Sequence, residues 1–203
     1  MIEIHNTLNV ESLRRLEGLR GATLRRIFGV NLDVRLMSED VSLETDEATV
    51  TLWGDVDGLG DWEGFDGQYA VLHIDDGVPN IYAANDVRAG RTSDENSFFF
   101  HAGDRIQDIS IVREHVRKDV AGETEWEYTT DSAVVFDLSG GVLAISKTTL
   151  DAEMLAITFA DSWEQLTIPP AGAFWFHWNE MGTEFARSSE LISLDDLIEG
   201  TGS

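Results

Sequence analysis

The chain has 203 residues, 42% of them hydrophobic, with 14 Lys and Arg against 38 Asp and Glu, a formal net charge of −24, and no cysteine. Length and apolar content suffice for a packed core and argue against wholesale disorder. The missing cysteines exclude a disulfide scaffold, Cys-ligated zinc or iron–sulfur sites and a thiol nucleophile. No run approaches the roughly 18 apolar residues of a membrane helix, and Met1–His5 lacks the basic and apolar regions of a secretory signal, so a cytoplasmic protein is expected.

Charge is unevenly placed. Residues 1–35 hold Arg14, Arg15, Arg20, Arg25, Arg26 and Arg35 against four acids, a net of +2, which leaves −26 on the other 168 residues. Such a body repels phosphate backbones and anionic lipid, so neither nucleic acid nor a membrane is an expected partner. The N-terminal arginines are expected to pair with acids of the same molecule. Two explanations account for the acidity: a face that steers a basic partner, or a source-wide bias, since only Lys118 and Lys147 among the 14 bases are lysines.

Along the chain, the first helical pattern is 10–19, where Val10, Leu13, Leu16 and Leu19 recur every third residue behind Asn9, a natural N-cap, and before Gly21. Strand patterns follow: Leu32, Val34 and Leu36 alternate within 24–36, Val50 and Leu52 alternate with threonines in 48–53, and 69–74 is a denser β run. Further strands are predicted at 106–116, 133–138, 142–145, 154–159, 166–168 and 174–178, separated by Gly, Asp, Asn and Ser clusters. Leu191, Leu194 and Ile198 have helical spacing, which predicts a closing helix over 189–198.

An internal repeat overlays this order. Gly21, Leu24 and Ile27 match Gly103, Ile106 and Ile109 at the same spacings, followed by Val34-Arg35 and Val116-Arg117, then by Glu44-Thr45 and Glu123-Thr124. Each copy then reaches two apolar runs: Val50–Leu52 with 71–74, and Val134–Phe136 with 142–145. The expected fold is α+β and β-rich, with two similar antiparallel β units, residues 21–80 and 103–168, sharing one core within a single domain 1–203 and a helix near each terminus. The second copy joins its runs through Ser139-Gly140-Gly141, whereas the first carries a loop from about Gly54 to Gln68.

That loop is the first site candidate. Asp55, Asp57, Asp61 and Asp66 offer hard oxygens on glycine-rich backbone, as calcium requires. Against the EF-hand spacing, however, Leu59 occupies a ligand position, Asp66 stands in place of glutamate, and no helices flank the loop. A solvated loop without metal is therefore expected, and no cofactor. Trp62 and Phe65, large apolar groups in a polar loop, either fold back onto the core or touch a partner.

The histidines form no recognised signature. His73 and Asp75 share a strand face and His101 lies three residues before Asp104, but neither pair has metalloprotease spacing, and no nucleophile elbow or phosphate-binding loop occurs. The aromatic run 174–178 sets Phe174, Phe176 and Trp178 against Trp175 and His177, so one face packs and the other is free to stack a ligand. The expected function is a non-enzymatic protein-binding module of the antitoxin or immunity kind, acting on a basic protein through its negative surface. The alternative is a small-molecule or carbohydrate-binding domain, or a hydrolase, built from 174–178 and the 54–67 loop.

Overall fold

Strands dominate, as the alternating apolar pattern requires. The computed structural model describes residues 2–29, 32, 36–58, 68–77, 97–99, 104–148, 154–168 and 183–200. Its elements in chain order are β1 (Ile2–Asn6), α1 (Val10–Glu17), β2 (Leu24–Phe28), β3 (Met37–Ser38), β4 (Asp40–Thr45), β5 (Thr49–Gly58), β6 (Gln68–Asp76) and β7 (Ser97–Phe99). β8 (Ile106–Val120), β9 (Glu123–Leu138), β10 (Gly141–Lys147), β11 (Leu155–Ala160), β12 (Thr183–Ser193) and α2 (Leu194–Gly200) follow.

Two sheets result. One has seven strands, in the order β12-β8-β9-β10-β11-β3, with β1 parallel to the first half of β9; the other has five, in the order β6-β5-β4-β2-β7. Their inner faces meet in one buried cluster. It takes Ile27, Leu43 and Leu52 from the small sheet, Ile109, Phe136 and Ile145 from the large one, and Leu13, Leu16 and Leu194 from the helices. The fold is thus β-rich α+β with two antiparallel sheets and a helix near each end.

α1 forms where the leucine spacing places it. Asn9 Oδ1 accepts a hydrogen bond from Ser12 N at 2.9 Å, satisfying one of the free donors of the first turn. Leu13 and Leu16 are buried on its inner face, and Leu19 follows in the turn. Arg15 docks the helix on β6, bonding Ile74 O at 2.6 Å and Asp76 at 3.0 Å. The closing helix begins later than its pattern suggests. Residues 189–193 are strand, paired with β8, and α2 starts at Leu194, because eleven residues of ladder bonding outweigh the helical spacing of Leu191, which is 52% exposed. Residues 166–168 are not strand, and 174–178 lies outside the described residues. The loop expected from Gly54 is also shorter, since β5 and β6 stay paired out to Gly58 and Gln68.

Each sheet holds a meander of four consecutive antiparallel neighbours: β2-β4-β5-β6 in one and β8-β9-β10-β11 in the other. Their first strands touch. Thr23 bridges Arg105, Leu24 N donates to Asp104 O at 2.8 Å, and Ile106 N donates to Ala22 O at 3.0 Å. In the spacing that aligns Gly21 with Gly103, Thr23 aligns with Arg105, and the bridge joins these two positions. The flanking turns agree. Asp46 Oδ1 accepts from Thr23 N at 2.7 Å, and Ser139 Oγ accepts from Arg105 N at 3.0 Å. Asp46 N and Ser139 N then donate back to the carbonyls of Thr23 and Arg105.

Beyond the first strand, correspondence follows topology and departs from the sequence match. The second strands are β4 and β9, so Val41 and Leu43 are the counterparts of Val134 and Phe136, while Val50 and Leu52 lie on the third strand. Glu44-Thr45 ends β4, whereas Glu123-Thr124 opens β9. The reason is the greater length of the β8–β9 hairpin, which extends past the core before turning at Ala121 and Gly122, both at positive φ.

Replacing Phe136, fully buried in the shared cluster, by alanine is expected to cost about 3–5 kcal/mol. Asn9→Ala, which removes only the cap of α1, should cost about 1 kcal/mol. Urea unfolding curves of the two variants check the ranking.

Candidate functional site

Past the core, the large sheet continues as four strands, β12-β8-β9-β1. Trp126, Tyr128 and Val116 are buried, and the alternating residues between them form the opposite, accessible face. Register assembles carboxylates there. Glu3 lies directly beside Glu127, and Glu127 beside Arg117; Asp119 lies beside Glu184. Glu3 and Glu184 are exposed there. Like charges set opposite one another on a sheet are destabilising. Arg117, the base nearest Glu127, is held instead by Asp119, with Nε–Oδ2 at 3.0 Å, and Lys118 is held by Glu125 at 2.7 Å. Among the described residues, Glu3, Glu123, Glu127 and Glu184 have no ion-pair partner. A shallow groove of about 250 Å³ runs across this face, lined by His115, Arg117, Glu127, Thr129, Ala186 and Ser188.

Elsewhere several bases are engaged within the molecule. Arg15 pairs with Glu11, Asp75 and Asp76; Arg20 with Asp108 and Asp195; Arg26 with Glu44. Three of the six N-terminal arginines therefore act as internal counter-charges, while Arg14 and Arg25 form no ion pair among the described residues.

Beneath the acidic face runs a buried polar seam. β1 and β10 approach one another end to end along the same edge of β9: β1 pairs with it up to Thr130, and β10 from Ala133 onward. At that junction the β8–β9 ladder is bulged, with Val112 opposite Ala133 and Arg113 opposite Asp131. Bulges interrupt pairing and redirect side chains, and polar groups satisfy the interrupted backbone. Asp131, 1% exposed, receives both Arg113 nitrogens at 2.8 and 3.1 Å and Leu8 N at 2.8 Å. Lys147 Nζ donates to Thr130 Oγ1 at 2.7 Å, and Glu114 is paired with Arg187. Burial pulls the Lys147 ammonium down to about 8, against the opposing pull of Glu114 and Asp131. Burial likewise pushes the Tyr128 hydroxyl up to about 12. Lys147 is only 1% exposed, so its amine ties β10 to β9 through Thr130 and does not meet solvent.

On the outer side of Arg187 lies a second groove of about 570 Å³, walled by Val112, Trp163, Leu166, Ile168 and Leu191 and bordered by Glu114. The candidates read from sequence are located elsewhere. Asp55 and Asp57 belong to β5, opposite Val71 and Tyr69, and so sit on a ladder instead of a coiled cation loop. Asp61, Trp62, Phe65, Asp66, Trp175 and His177 lie outside the described residues. His73 and Asp75 share β6 but do not bond one another. His73 stacks on Trp53 at 4.3 Å, and Trp53 Nε1 donates to Asp75 Oδ2 at 2.8 Å. Among the described residues, no three His, Asp or Glu side chains converge as a metal site requires, and no helix is long and apolar enough to cross a membrane.

Sequence reasoning passed over both the acidic rows and the seam. The signal was present: Trp126, Tyr128 and Thr130 alternate with Glu125, Glu127 and Thr129, and Lys147 continues the Leu143, Ile145 alternation onto the inner side.

The seam predicts an alkaline stability profile. Lys147 loses its proton at about pH 8 in the fold and at its ordinary value of 10.5 when unfolded, so between these values the unfolded chain binds more protons and stability rises with pH, by about 3 kcal/mol at most. Tyr128 acts in reverse. From pH 10 to about 12 the folded chain keeps the proton that the unfolded chain has lost, and stability falls. Denaturation at intervals from pH 7 to 12 should show a maximum near pH 10; Lys147→Met should flatten the rising limb and Tyr128→Phe the falling one. No protein-family model, curated protein or solved structure matches this chain.

Proposed function

We propose that the protein is a non-enzymatic binding module, of the antitoxin or immunity kind, which engages a basic protein through the acidic face of β12, β8, β9 and β1. The observation that carries this reading is the like-charge neighbour pair Glu3 and Glu127, with exposed Glu184 on the same face, while Arg117, the base beside Glu127 in the ladder, is directed to Asp119. A face that is unfavourable in the free protein becomes favourable once a cation covers it, and complementary potential speeds encounter. The reading takes 1–203 as one domain with 21–80 and 103–168 as its repeat units, a cytoplasmic location, and no nucleic acid or membrane partner, since a net charge of −24 repels both.

One observation favours small-molecule binding as the second reading: the groove beside Arg187 has a volume within the range of ligand pockets and joins apolar walls to a charged pair. A ligand seated there would raise the melting temperature without salt dependence.

The immobilised native chain should retain a basic protein from its source lysate at low salt and release it near 1 M salt, where the Debye length falls to about 3 Å. A chain with Glu3, Glu127 and Glu184 all changed to Gln should retain none of it. Equal retention by both chains would exclude the acidic face.

A further inference from the structure

The partner's mode of attachment can be read from the edge of the same face. β12 is the outermost strand of the large sheet: it pairs with β8 through eleven consecutive residues and has no strand beyond it among the described residues. Alternate backbone N–H and C=O groups of such a strand point outward and can template another chain. Proteins commonly guard such edges with proline, lysine, a bulge or a short strand. β12 has none of these. Its sequence, Thr183-Glu-Phe-Ala-Arg-Ser-Ser-Glu-Leu-Ile-Ser193, contains no proline or lysine, and its register with β8 is unbroken.

The side chains beside that edge specify what fits. On the accessible face β12 presents Glu184, Ala186, Ser188 and Glu190, all exposed, with Asp119 next to Glu184 on the neighbouring strand and His115 Nε2 bonded to one oxygen of Glu190 at 3.1 Å, which leaves its other oxygen to a partner. Its one base, Arg187, is held by Glu114. Glu184 and Glu190 stand six residues apart, about 20 Å along an extended strand. Even spacing keeps both on one face, whereas an odd spacing would split them between the two.

We infer that β12 accepts an extended basic segment of the partner as an added strand, with cationic residues six apart opposite Glu184 and Glu190. This rests on the acidic-face reading above and names its mode of contact. Main-chain bonds to the edge supply affinity, and the two carboxylates set the register. Two copies of this chain are a poorer fit, because each carries −24 and β12 offers no free cation to meet Glu184 or Glu190.

Three synthetic eleven-residue peptides test the inference against the full chain. The first has two lysines six apart among threonines and valines; the second has the same composition with lysines five apart; the third is the first with alternate backbone nitrogens methylated. The first should bind at least tenfold tighter than either of the others. Of Ser188→Pro and Ser189→Pro, one removes an outward N–H and one a bond to β8, so the outward-facing variant should lose binding with its melting temperature nearly unchanged. Equal, salt-sensitive binding of all three peptides would overturn strand addition and leave the acidic-face reading standing. Absence of binding by any peptide would overturn it as well, with the lysate capture deciding the face separately. A dimer of the native chain that a proline variant dissolves would assign the edge to a second copy and overturn the inference.

Discussion

The rest of the structure depends on β9 serving two environments within one strand. Its second half, Ala133–Leu138, is buried on both sides; in its first half, Trp126, Tyr128 and Thr130 are buried while Glu123, Glu125, Glu127 and Thr129 reach toward solvent. A regular ladder would have to carry a fully apolar strand into a half-polar one at the point where its neighbour on one edge also changes from β10 to β1. The bulge at Asp131 and Ser132 makes that change, and the exposed backbone is satisfied by charge. Asp131 binds the N–H of Leu8 after β1 and the guanidinium of Arg113 on β8, while Lys147 at the end of β10 bonds Thr130. Removing one member would leave the others as buried, uncompensated charges, which costs far more than the pairs contribute when complete.

The same seam explains the positions of the few bases. With 38 acids and 14 bases, each cation lowers the self-repulsion of the fold wherever it meets a carboxylate. The arginines are distributed accordingly: Arg15 ties α1 to β6, Arg20 links Asp108 on β8 with Asp195 on α2, and Arg113 and Arg187 bind the carboxylates nearest the seam. Exposed pairs of this kind each contribute little. Their collective effect is to lower self-repulsion, and acids without an ion pair remain both on the accessible face, at Glu3, Glu127 and Glu184, and elsewhere among the described residues, at Glu17, Glu47, Asp161, Glu164 and Glu199.

The contact between the two meanders gives this economy its geometry. Joining β2 and β8 at Thr23 and Arg105 lets the two sheets share one apolar cluster without a further layer between them. The large sheet can then run beyond the small one. That overhang, made by the longer β8–β9 hairpin and extended by β12, leaves a sheet face to solvent and its outer strand to an approaching chain.

The sequence alone determined the local elements whose pattern is periodic within a few residues: α1 behind Asn9, the alternating strands of the core and the β-rich class. It also fixed the acidity, because charge is a property of composition. Tertiary structure decided everything that depends on which distant residues meet. Glu3 and Glu127 are 124 positions apart in the chain, and nothing in either segment states that they are cross-strand neighbours. Residues 189–193 carry a helical spacing, yet they extend a strand because β8 offers them a ladder. Lys147 is a surface residue by type and a buried one by place, since Asp131, Glu114 and Thr130 reach it only after β1, β8 and β10 have assembled around β9.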